Sequence, residues 1–408
     1  MAKNSRTPSI RFKGFTDAWE QRKVGELLEE RDVKAPKSTD YPLMAFIAYE
    51  GVAPKGDRYD RSALVNDTEN KPYKRTEFGD FIYSSNNLET GSIGLNKYGK
   101  ASISPVYSIF HPTELGDSDF LGRRLVRKDF INEMVKWRQG VIYGQWRIHE
   151  SDFVKIKIAV PIIEEQQKIG RLLDSIDNLI TLHQRKYEKF VNIKKALLEN
   201  MFPQGDDKVP RIRFKGFTEA WEQCKLGEVA IFRRGSFPQP YGKIEWYDGE
   251  ESKPFVQVAD VTDAMNLVDD TKQKISKLAQ PMSVFAEKGS VLVTLQGSIG
   301  RVAITQYGAF VDRTVLIFEK YKTEINNLFW AYVIKQKFIE EARKAPGGTI
   351  KTITKEALTD FDLLLPNYNE QQQIGSFFEQ LDNLITLYQR QVEKLKNIKS
   401  ALLANMFI

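Results

Sequence analysis

The sequence predicts an α+β fold in which two α/β domains are separated by two long helices packed as an antiparallel coiled coil, with pseudo-two-fold symmetry. One observation behind this prediction is a repeated opening: residues 10–26 and 212–228 are identical at 14 of 17 positions. The other is a repeated close, because residues 161–202 and 366–407 are identical at 25 of 42 positions. The stretches between these ends have diverged almost completely. The chain therefore consists of two consecutive units with constant ends and unlike middles.

The composition indicates folded domains rather than disorder, with 41% hydrophobic and 12% aromatic residues. No run of about 18 apolar residues and no apolar N-terminal segment is present, so we expect neither a membrane span nor a secretory signal. The single cysteine, Cys224, excludes an internal disulfide framework and is typical of a reducing cytoplasm. The net charge of +6 permits nucleic-acid binding without requiring it.

The repeated closing segments are predicted to be helices with an apolar seam. Apolar residues recur at steps of three and four in both copies, which is the heptad pattern of a coiled coil. The predicted seam contains Ile169, Leu172, Ile176, Leu179, His183, Phe190, Ile193 and Leu197 in the first helix and Ile374, Phe377, Leu381, Leu384, Tyr388, Leu395, Ile398 and Leu402 in the second. Burial of both seams against each other in an antiparallel pair would place one variable region at each end of a rod.

Polar residues outside the seam also recur, although a solvated helix face needs only to be polar. The recurring residues are Asp177, Asn178, Gln184, Arg185 and Asn192 in the first helix, and Asp382, Asn383, Gln389, Arg390 and Asn397 in the second. We interpret them as a partner-docking surface that is displayed twice. The alternative is a recent duplication that has not yet drifted, and the divergence of the two middles argues against it.

The two variable regions share a predicted scaffold. Gly91-Ser92-Ile93-Gly94 recurs at 297–300, and each copy is followed by Tyr-Gly and a β-rich run that ends in Ile-Phe. A helical Phe-Ile-x-Glu segment comes next, at 130–133 and 338–341, and a strand-like run then leads back to Pro161 or Pro366. This order predicts one α+β scaffold with different loops, which is the usual way in which recognition is varied.

The loops carry side chains of the types that read DNA bases, since Arg and Lys pair with guanine and Asn and Gln with adenine. The candidate DNA-binding residues of the first region are Ser85, Asn86, Asn87, Lys97, Lys100, Gln145 and Arg147. Those of the second region are Arg233, Arg234, Gln239, Tyr241, Lys243, Gln296, Ser298, Arg301, Arg313 and Lys351. The Gly-Ser-Ile-Gly runs are expected to form tight β-turns, because neither matches the complete GxxxxGK[ST] motif of a phosphate loop.

Sequence signatures of catalysis are missing. The chain has no Walker A loop, no Asn-Pro-Pro-aromatic adenine-methylation motif, no GxSxG elbow and no metal-ligand cluster. Glu251-Ser252-Lys253 resembles part of a nuclease site but lacks a well-placed upstream Asp, so we interpret it as surface charge. We expect no catalytic residue and no bound metal in this chain.

In combination, the repeated segments resemble type I restriction–modification specificity subunits. The openings at 19–26 and 221–228 are similar to the starts of the two halves of such subunits. The Glu-Gln-Gln-x-Ile-Gly helices at 165–170 and 370–375, with their Asn-Leu-Ile-Thr-Leu and Ala-Leu-Leu continuations, resemble the conserved helices of the family. The resemblance covers the whole chain, and it is specific because the motifs occur twice in the same order.

The resemblance implies a non-catalytic subunit that confers DNA sequence specificity. Each target recognition domain would read one half of a bipartite double-stranded DNA target, and the helix pair would set the gap between the halves. Two modification subunits that use S-adenosylmethionine would dock on the helices, and two restriction subunits that use ATP and Mg²⁺ would complete the complex. The alternatives are a free-standing DNA-binding regulator and a pure scaffold. The regulator would bind its DNA site without any partner, whereas the scaffold would show no sequence-selective DNA binding.

The resemblance also divides the chain into six segments. They are a leader (1–20), target recognition domain 1 (21–160), a central helix (161–203), a linker with the repeated leader (204–221), target recognition domain 2 (222–365) and a C-terminal helix (366–408).

Overall fold

The computed structural model describes residues 7–54, 71–142, 145–344 and 355–408. Their contacts divide the chain into two compact units. Unit 1 comprises the residues up to His183 together with Gln391–Ile408, and unit 2 comprises Gln184–Arg390. Each unit therefore contains one variable region, the first part of the long helix that follows that region, and the last part of the other long helix.

The first variable region is built from short strands, with helices near its end. Its elements, and the long helix that follows, are β1 (Glu20–Lys23), α1 (Val24–Leu27), β2 (Leu28–Glu30), β3 (Lys34–Ala35), β4 (Ala45–Ile47), β5 (Gly51–Ala53), β6 (Tyr73–Thr76), β7 (Phe81–Tyr83), β8 (Ile93–Leu95), β9 (Ala101–Ile103), β10 (Ser108–Pro112), α2 (Ser118–Arg124), α3 (Lys128–Val135), β11 (Gln139–Ile142), β12 (Gln145–Arg147), α4 (Glu150–Phe153), β13 (Lys157–Val160) and α5 (Ile163–Asn200). Strands β2-β10-β7-β8 form a four-stranded antiparallel sheet and β3-β6-β9 a three-stranded one, while β1–β13, β4–β5 and β11–β12 pair in twos.

The second variable region has longer strands and one long domain helix. Its elements, and the second long helix, are β14 (Glu222–Lys225), α6 (Leu226–Val229), β15 (Ala230–Arg234), β16 (Lys253–Val256), β17 (Gln273–Ile275), β18 (Val284–Ala286), β19 (Val291–Thr294), β20 (Val302–Ile304), β21 (Ala309–Val311), β22 (Val315–Tyr321), α7 (Asn327–Lys344), α8 (Lys355–Thr359), β23 (Asp362–Leu365) and α9 (Tyr368–Asn405). Short 3-10 turns occupy Ile244–Trp246, Val258–Asp260 and Gln280–Met282. The sheets are β15-β22-β19-β20, β17-β16-β21-β18 and the pair β14–β23, and only β16 and β21 run parallel among these described strands.

The two variable regions repeat one strand order, since β2-β10-β7-β8 corresponds to β15-β22-β19-β20. In this register the Ser84 N–H donates to the carbonyl of Ser92 (2.8 Å), and the equivalent Thr294 N–H donates to that of Arg301 (2.9 Å). The ladder therefore places Gly91 at the position of Gly300. The alignment of the two Gly-Ser-Ile-Gly runs that we made from the sequence is wrong by three residues, because strand pairing and not the local motif sets the equivalence.

Each unit has a core around the tryptophan of the repeated opening. The Trp19 ring is 1% exposed and meets Phe120 edge-on, with centroids 5.6 Å apart. The segment that follows α9 adds Phe407, whose ring centroid lies 6.4 Å from that of Trp19. In unit 2 the equivalent contacts join Trp221 to Phe329 (5.7 Å) and to Phe202 (5.9 Å). The Met-Phe pair at the end of each long helix is thus part of a domain core.

The two long helices run antiparallel, which unit 2 shows directly. The Phe190 ring stacks on Tyr388 with centroids 5.6 Å apart, and one turn later on α5 the Lys194 ammonium pairs with the Asp382 carboxylate. Residue numbers rise along α5 as they fall along α9. This confirms the antiparallel pairing and the α+β fold class predicted from the sequence.

Three predicted seam residues lie on the outside of the helices. Leu179 is 43% exposed, and Leu384 and Ile398 are each 38% exposed. An α-helix has 3.6 residues per turn, so a strict heptad register drifts off the buried face, and the adjacent Ile180 and Ile385 are the half-buried residues instead. The other thirteen are buried or half-buried: Ile169, Leu172, Ile176, His183, Phe190, Ile193, Leu197, Ile374, Phe377, Leu381, Tyr388, Leu395 and Leu402.

One joint, made by two leader residues and both long helices, is built the same way in each unit. In unit 1 the Ile10 N–H donates to the Asn405 carbonyl at the end of α9 (3.0 Å). The adjacent Arg11 guanidinium binds both carboxylate oxygens of Glu165, in the first turn of α5, at 2.9 and 2.6 Å. Glu165 is fully buried, and a buried carboxylate requires such a charged partner. In unit 2 the Ile212 N–H donates to the Asn200 carbonyl (2.9 Å), and the Arg213 guanidinium binds both carboxylate oxygens of Glu370 at 2.7 Å.

The next residues of the Glu-Gln-Gln-x-Ile-Gly motif attach the variable region to the helix. Gln166 accepts a hydrogen bond from the Asp117 N–H (3.1 Å) and donates one to the Pro161 carbonyl (2.9 Å). Asp117 in turn caps α2 at the Phe120 N–H. A Cβ on Gly170 would lie 2.6 Å from the Asp117 carboxylate, so the close approach of α2 requires glycine there. Unit 2 repeats these contacts with Gln371, Asn326, Pro366, Phe329 and Gly375.

Replacement of Arg11 by alanine tests the contribution of the joint to stability. Arg11→Ala leaves the buried Glu165 carboxylate without its charged partner, and we expect a loss of about 3–5 kcal/mol in the free energy of unfolding. Urea unfolding followed by tryptophan fluorescence would measure it, because Trp19 lies in the core of the same unit.

Arg22→Ala is the matched control, since the Arg22 partners among the described residues are the exposed Glu20 and Glu26. Its expected cost is below about 1 kcal/mol. The double variant Arg11→Met/Glu165→Leu removes both charges and should be more stable than Arg11→Ala. Equal stabilities of Arg11→Ala and Arg22→Ala would contradict a stabilising joint.

Candidate nucleic-acid interface

The hairpin turn between β7 and β8 presents three of the predicted DNA-binding residues in unit 1. The Ser85 hydroxyl accepts a hydrogen bond from the Ile148 N–H at 3.0 Å, and the Ser85 carbonyl accepts one from the Arg138 guanidinium at 3.2 Å. These bonds anchor the turn against the end of β12. Asn86 and Asn87 are exposed next to this anchor, so their side-chain amides are open to a ligand.

Arg147 lies beside the same anchor, one residue before Ile148. Its side chain is 66% exposed, with the Glu150 carboxylate 3.8 Å from the guanidinium. The structure therefore brings Ser85, Asn86, Asn87 and Arg147 together at one end of the first variable region. The side chain of Gln145, a further predicted residue, lies outside the described residues.

The two predicted lysines of the first region lie elsewhere. The Lys97 ammonium binds the Asp174 carboxylate on α5 at 2.5 Å and lies 3.3 Å from Asp119, and this hydrogen bond lowers the pKa of the Asp174 carboxyl. Lys97 thus takes part in the attachment of the first region to α5, and its assignment to DNA binding stays a prediction. Lys100 is exposed, with its ammonium 5.6 Å from the centre of the Tyr41 ring.

In unit 2 the predicted residues gather around Tyr241. The Arg313 guanidinium lies over the Tyr241 ring, 5.4 Å from its centre, and the Gln257 amide donates to the Tyr241 hydroxyl at 3.4 Å. Tyr247 lies next to them, and burial, with a smaller effect of the Tyr241 hydroxyl, raises the pKa of Tyr247 to about 12. Tyr247 is thus a neutral hydrogen-bonding group at physiological pH. A cation, an amide and two phenols on one exposed cluster can contact phosphates and base edges.

The chain reaches this cluster from β15. Arg233 and Arg234 are exposed at the end of that strand, with Glu319 3.7 Å from Arg233. A Cβ on Gly235 would lie 2.1 Å from the Val311 carbonyl, so glycine is required where the backbone passes under β21. The exposed Gln239 and Lys243 follow on either side of Tyr241. The loop after β15 and the turn that carries Arg313 therefore form one surface.

The hairpin turn between β19 and β20 holds the remaining predicted residues of unit 2. Gln296 and Ser298 are exposed there, at the place that Asn86 and Asn87 occupy in unit 1. Arg301 is held by the Asp263 carboxylate at 3.0 Å, so this guanidinium has an internal partner. Lys351 lies outside the described residues.

Some residues of these surfaces were missed by the reasoning from sequence. Arg138 was missed because only the fold brings it to Ser85, 53 positions earlier in the chain. Gln257 was missed for the same reason, because it lies 16 positions after Tyr241 in the chain, just before the 3-10 turn Val258–Asp260. The exposed Trp146 beside Arg147 carried a signal, because an aromatic residue next to a cation in a short strand is a common nucleic-acid contact.

The recurring polar residues of the helices fall into two groups. Asp177 binds Arg123 at 2.9 Å and Lys399 at 2.6 Å, and Asp382 binds Lys194 and the Tyr332 hydroxyl. Burial, and then the Asp382 carboxylate, raise the pKa of the Tyr332 phenol. Both aspartates therefore hold domain and helices together, and their assignment to partner docking stays a prediction. Gln184 is half-buried and its side-chain amide donates to the Glu188 carboxylate. The other recurring polar residues are exposed: Asn178, Arg185, Asn192, Asn383, Gln389, Arg390 and Asn397.

Exposed leucines accompany these polar residues at equivalent positions of both helices. Leu179 and Leu182 are 43% and 47% exposed, and Leu384 and Leu387 are 38% and 48% exposed. Two leucines three residues apart lie on one face of a helix. We call Leu179 with Leu182, and Leu384 with Leu387, the leucine pairs.

Within the described ranges, no group of three or more His, Cys, Asp or Glu side chains is placed to hold a metal ion. None of the described helices is both long and apolar enough to cross a membrane.

Comparison with known proteins agrees with this architecture. The model of the type I restriction modification DNA specificity domain matches residues 16–190 and again residues 218–397. The chain is 22% identical over 418 residues to the type I restriction enzyme MjaVIII specificity subunit of Methanocaldococcus jannaschii, covering 94% of this chain and 91% of the relative. It is 23% identical over 263 residues to a putative MjaX specificity subunit of the same organism, where the match spans 64% of this chain and 60% of the relative.

The fold is also that of a solved structure. The crystal structure of the S subunit of a type I restriction–modification system from M. genitalium superimposes with a TM-score of 0.62 at 14% identity, covering 98% of this chain and 99% of that chain. Two matches to one family model, in the two variable regions and their helices, account for most of the sequence. The chain therefore belongs to the type I restriction–modification DNA specificity family.

Proposed function

We propose that this chain is the DNA sequence-specificity subunit of a type I restriction–modification complex. It binds a bipartite, asymmetric DNA target, with one half read by each target recognition domain, and directs adenine methylation or ATP-dependent cleavage by partner subunits. The observation that carries the proposal is the combination of one attachment, built twice, with two unlike exposed surfaces. Identical attachment and different surfaces are what a reader of two different half-sites requires.

The chemistry of the two surfaces supports DNA as their ligand. Unit 1 offers amides and a cation at Asn86, Asn87 and Arg147, while unit 2 offers Arg313 over Tyr241. These groups can pair with base edges and phosphates, and their arrangement differs between the units. Each surface would therefore read its own sequence.

The chemical steps belong to partner subunits in this proposal. S-adenosylmethionine would bind a modification subunit, and ATP and Mg²⁺ a restriction subunit, because this sequence has neither the adenine-methylation motif nor a Walker A loop. The complex would contain two subunits of each kind and act on host DNA in the cytoplasm. This chain supplies affinity and register, and no residue of it is proposed to break or form a bond.

The leucine pairs are the proposed docking sites for the modification subunits. Each pair lies in the Asn-Leu-Ile-Thr-Leu stretch that both helices share, beside the exposed Asn178 or Asn383. A leucine that is 38–48% exposed in this chain would be buried by a partner helix or groove. The same apolar pair at the same place in both copies fits two identical partners.

Mapping of methylated bases tests the proposed function. The chain would be co-expressed with its modification subunit in a host without other adenine methyltransferases, and methyladenine would be located by single-molecule sequencing. We expect a split motif with a fixed gap that appears only when this chain is present. The opposite outcome has two parts: the purified chain binds one DNA site tightly, and cells with an active modification subunit show no split motif. This outcome would favour a free-standing regulator instead.

Introduction of negative charge at one leucine pair tests docking. We expect Leu384→Glu/Leu387→Glu to weaken retention of the modification subunit by at least ~10-fold, since full burial of a leucine contributes about 1.5–3 kcal/mol and just under half of each leucine is still exposed. Pull-down or calorimetry with the purified modification subunit would measure it, and glutamate keeps a high helix propensity. The matched control is Leu278→Glu, because Leu278 is 59% exposed in the same unit but lies off the helices. Equal retention by both variants would remove the leucine pair from the interface.

A further inference from the structure

Ile244 is the most exposed large apolar side chain among the described residues, at 90% of its surface. It begins a short 3-10 turn, Ile244–Trp246, in the loop that leads from Tyr241 towards β16. Its neighbours along the chain, Lys243 and Glu245, are both charged and exposed. The isoleucine is thus a single apolar projection among charges and not part of an apolar patch.

The turn that carries Ile244 is firmly held. Trp246 is 8% exposed, and its indole N–H donates to the Pro240 carbonyl at 3.1 Å. Ser276 binds the turn twice, because its hydroxyl donates to the Glu245 carbonyl (2.7 Å) and its N–H to the Trp246 carbonyl (2.9 Å). The backbone that carries the exposed side chain is therefore already ordered, so little backbone entropy is lost when the side chain binds a ligand.

The turn belongs to the same surface as the Tyr241 cluster. The Tyr247 N–H donates to the Ile244 carbonyl (3.1 Å), and the Tyr247 ring stacks on Phe237 with centroids 5.2 Å apart. Phe237 in turn contacts Tyr241, with centroids 4.9 Å apart. Ile244 is thus linked through two aromatic contacts to the ring over which Arg313 lies.

The charges around the turn are mixed. The Glu245 carboxylate lies 3.0 Å from the Lys243 ammonium, and Glu251 pairs with Lys277. These pairs offset two of the acids and Arg313 adds a cation to the surface, whereas the exposed Asp248 and Glu250 keep their negative charge. Contact with DNA at Ile244 therefore depends on the apolar side chain and on Arg313, and not on the net charge of the loop.

We propose that Ile244 is a wedge that inserts between stacked base pairs of the half-site bound by unit 2. Apolar side chains on rigid turns, isoleucine among them, unstack base steps in this way. The inference rests on the proposed function and deepens it. Methylation requires the target adenine to leave the base stack, and a step that is already unstacked lowers the cost of that movement. Ile244 would then assist the reaction of the partner without touching the adenine.

The test uses the complex of this chain with its modification subunit and duplexes that contain the mapped target. 2-Aminopurine would replace single bases across the half-site of unit 2, and its fluorescence rises when stacking is lost. We expect a rise at one step of this half-site with the unchanged protein. Ile244→Ala should abolish that rise and weaken specific binding about 10-fold, and Ile244→Leu should restore both.

Leu278→Ala is the matched control, because Leu278 is also an exposed aliphatic residue of unit 2, at 59% of its surface. It should keep the fluorescence rise and the affinity. A rise that persists in Ile244→Ala, or that is lost equally in Leu278→Ala, would overturn the wedge. So would unchanged DNA readouts combined with poorer retention of the modification subunit by Ile244→Ala, which would make Ile244 a protein contact. Absence of specific binding by the unchanged complex would instead refute the proposed function itself.

Discussion

A buried Arg–Glu pair at the start of each long helix is the contact on which the arrangement of each unit depends. Arg11 and Arg213 each reach a glutamate that is fully buried, and each is preceded by an isoleucine whose N–H binds the end of the other long helix. Two leader residues thus hold the beginning of one helix and the end of the other side by side. Because the buried charge is costly without its partner, the leader, both helices and the domain are fixed together.

This contact explains which parts of the sequence repeat. The glutamine and glycine that follow the glutamate contact the start of α2 through Asp117 in unit 1 and the start of α7 through Asn326 in unit 2. The tryptophan of the opening and the Met-Phe at the end of each helix complete the same core. Beyond this frame the loops are free to change, since neither the turn around Asn86 nor that around Tyr241 takes part in the joint.

The sequence predicted the architecture because duplication provided an internal comparison. Matching ends located both helices and predicted their antiparallel direction, which the contact of Phe190 with Tyr388 confirms. The details that failed depend on geometry that no local pattern contains. Leu179 lies outside the seam because a helix of 3.6 residues per turn drifts from a heptad register, and Gly91 was misaligned because strand pairing sets the register.

The reading surfaces were predicted by residue type but not by position. The assignment of arginines and amides in loops to base reading stays a prediction, and the structure groups several of these residues. Contacts between distant segments, such as Arg138 with Ser85 or Arg313 with Tyr241, could not be inferred, because they depend on how loops of unlike length fold over a common sheet. Which base each side chain meets depends on the same loop geometry.

The central claim is that each domain reads its half-site independently on a common attachment. Exchange of residues 21–160 for the corresponding region of another member of the family tests it most directly, with methyladenine mapped across the genome in the presence of the modification subunit. The account predicts that one half of the split motif changes while the other half is retained, because the joint of unit 2 and its reading surface are untouched. A change in both halves would contradict it.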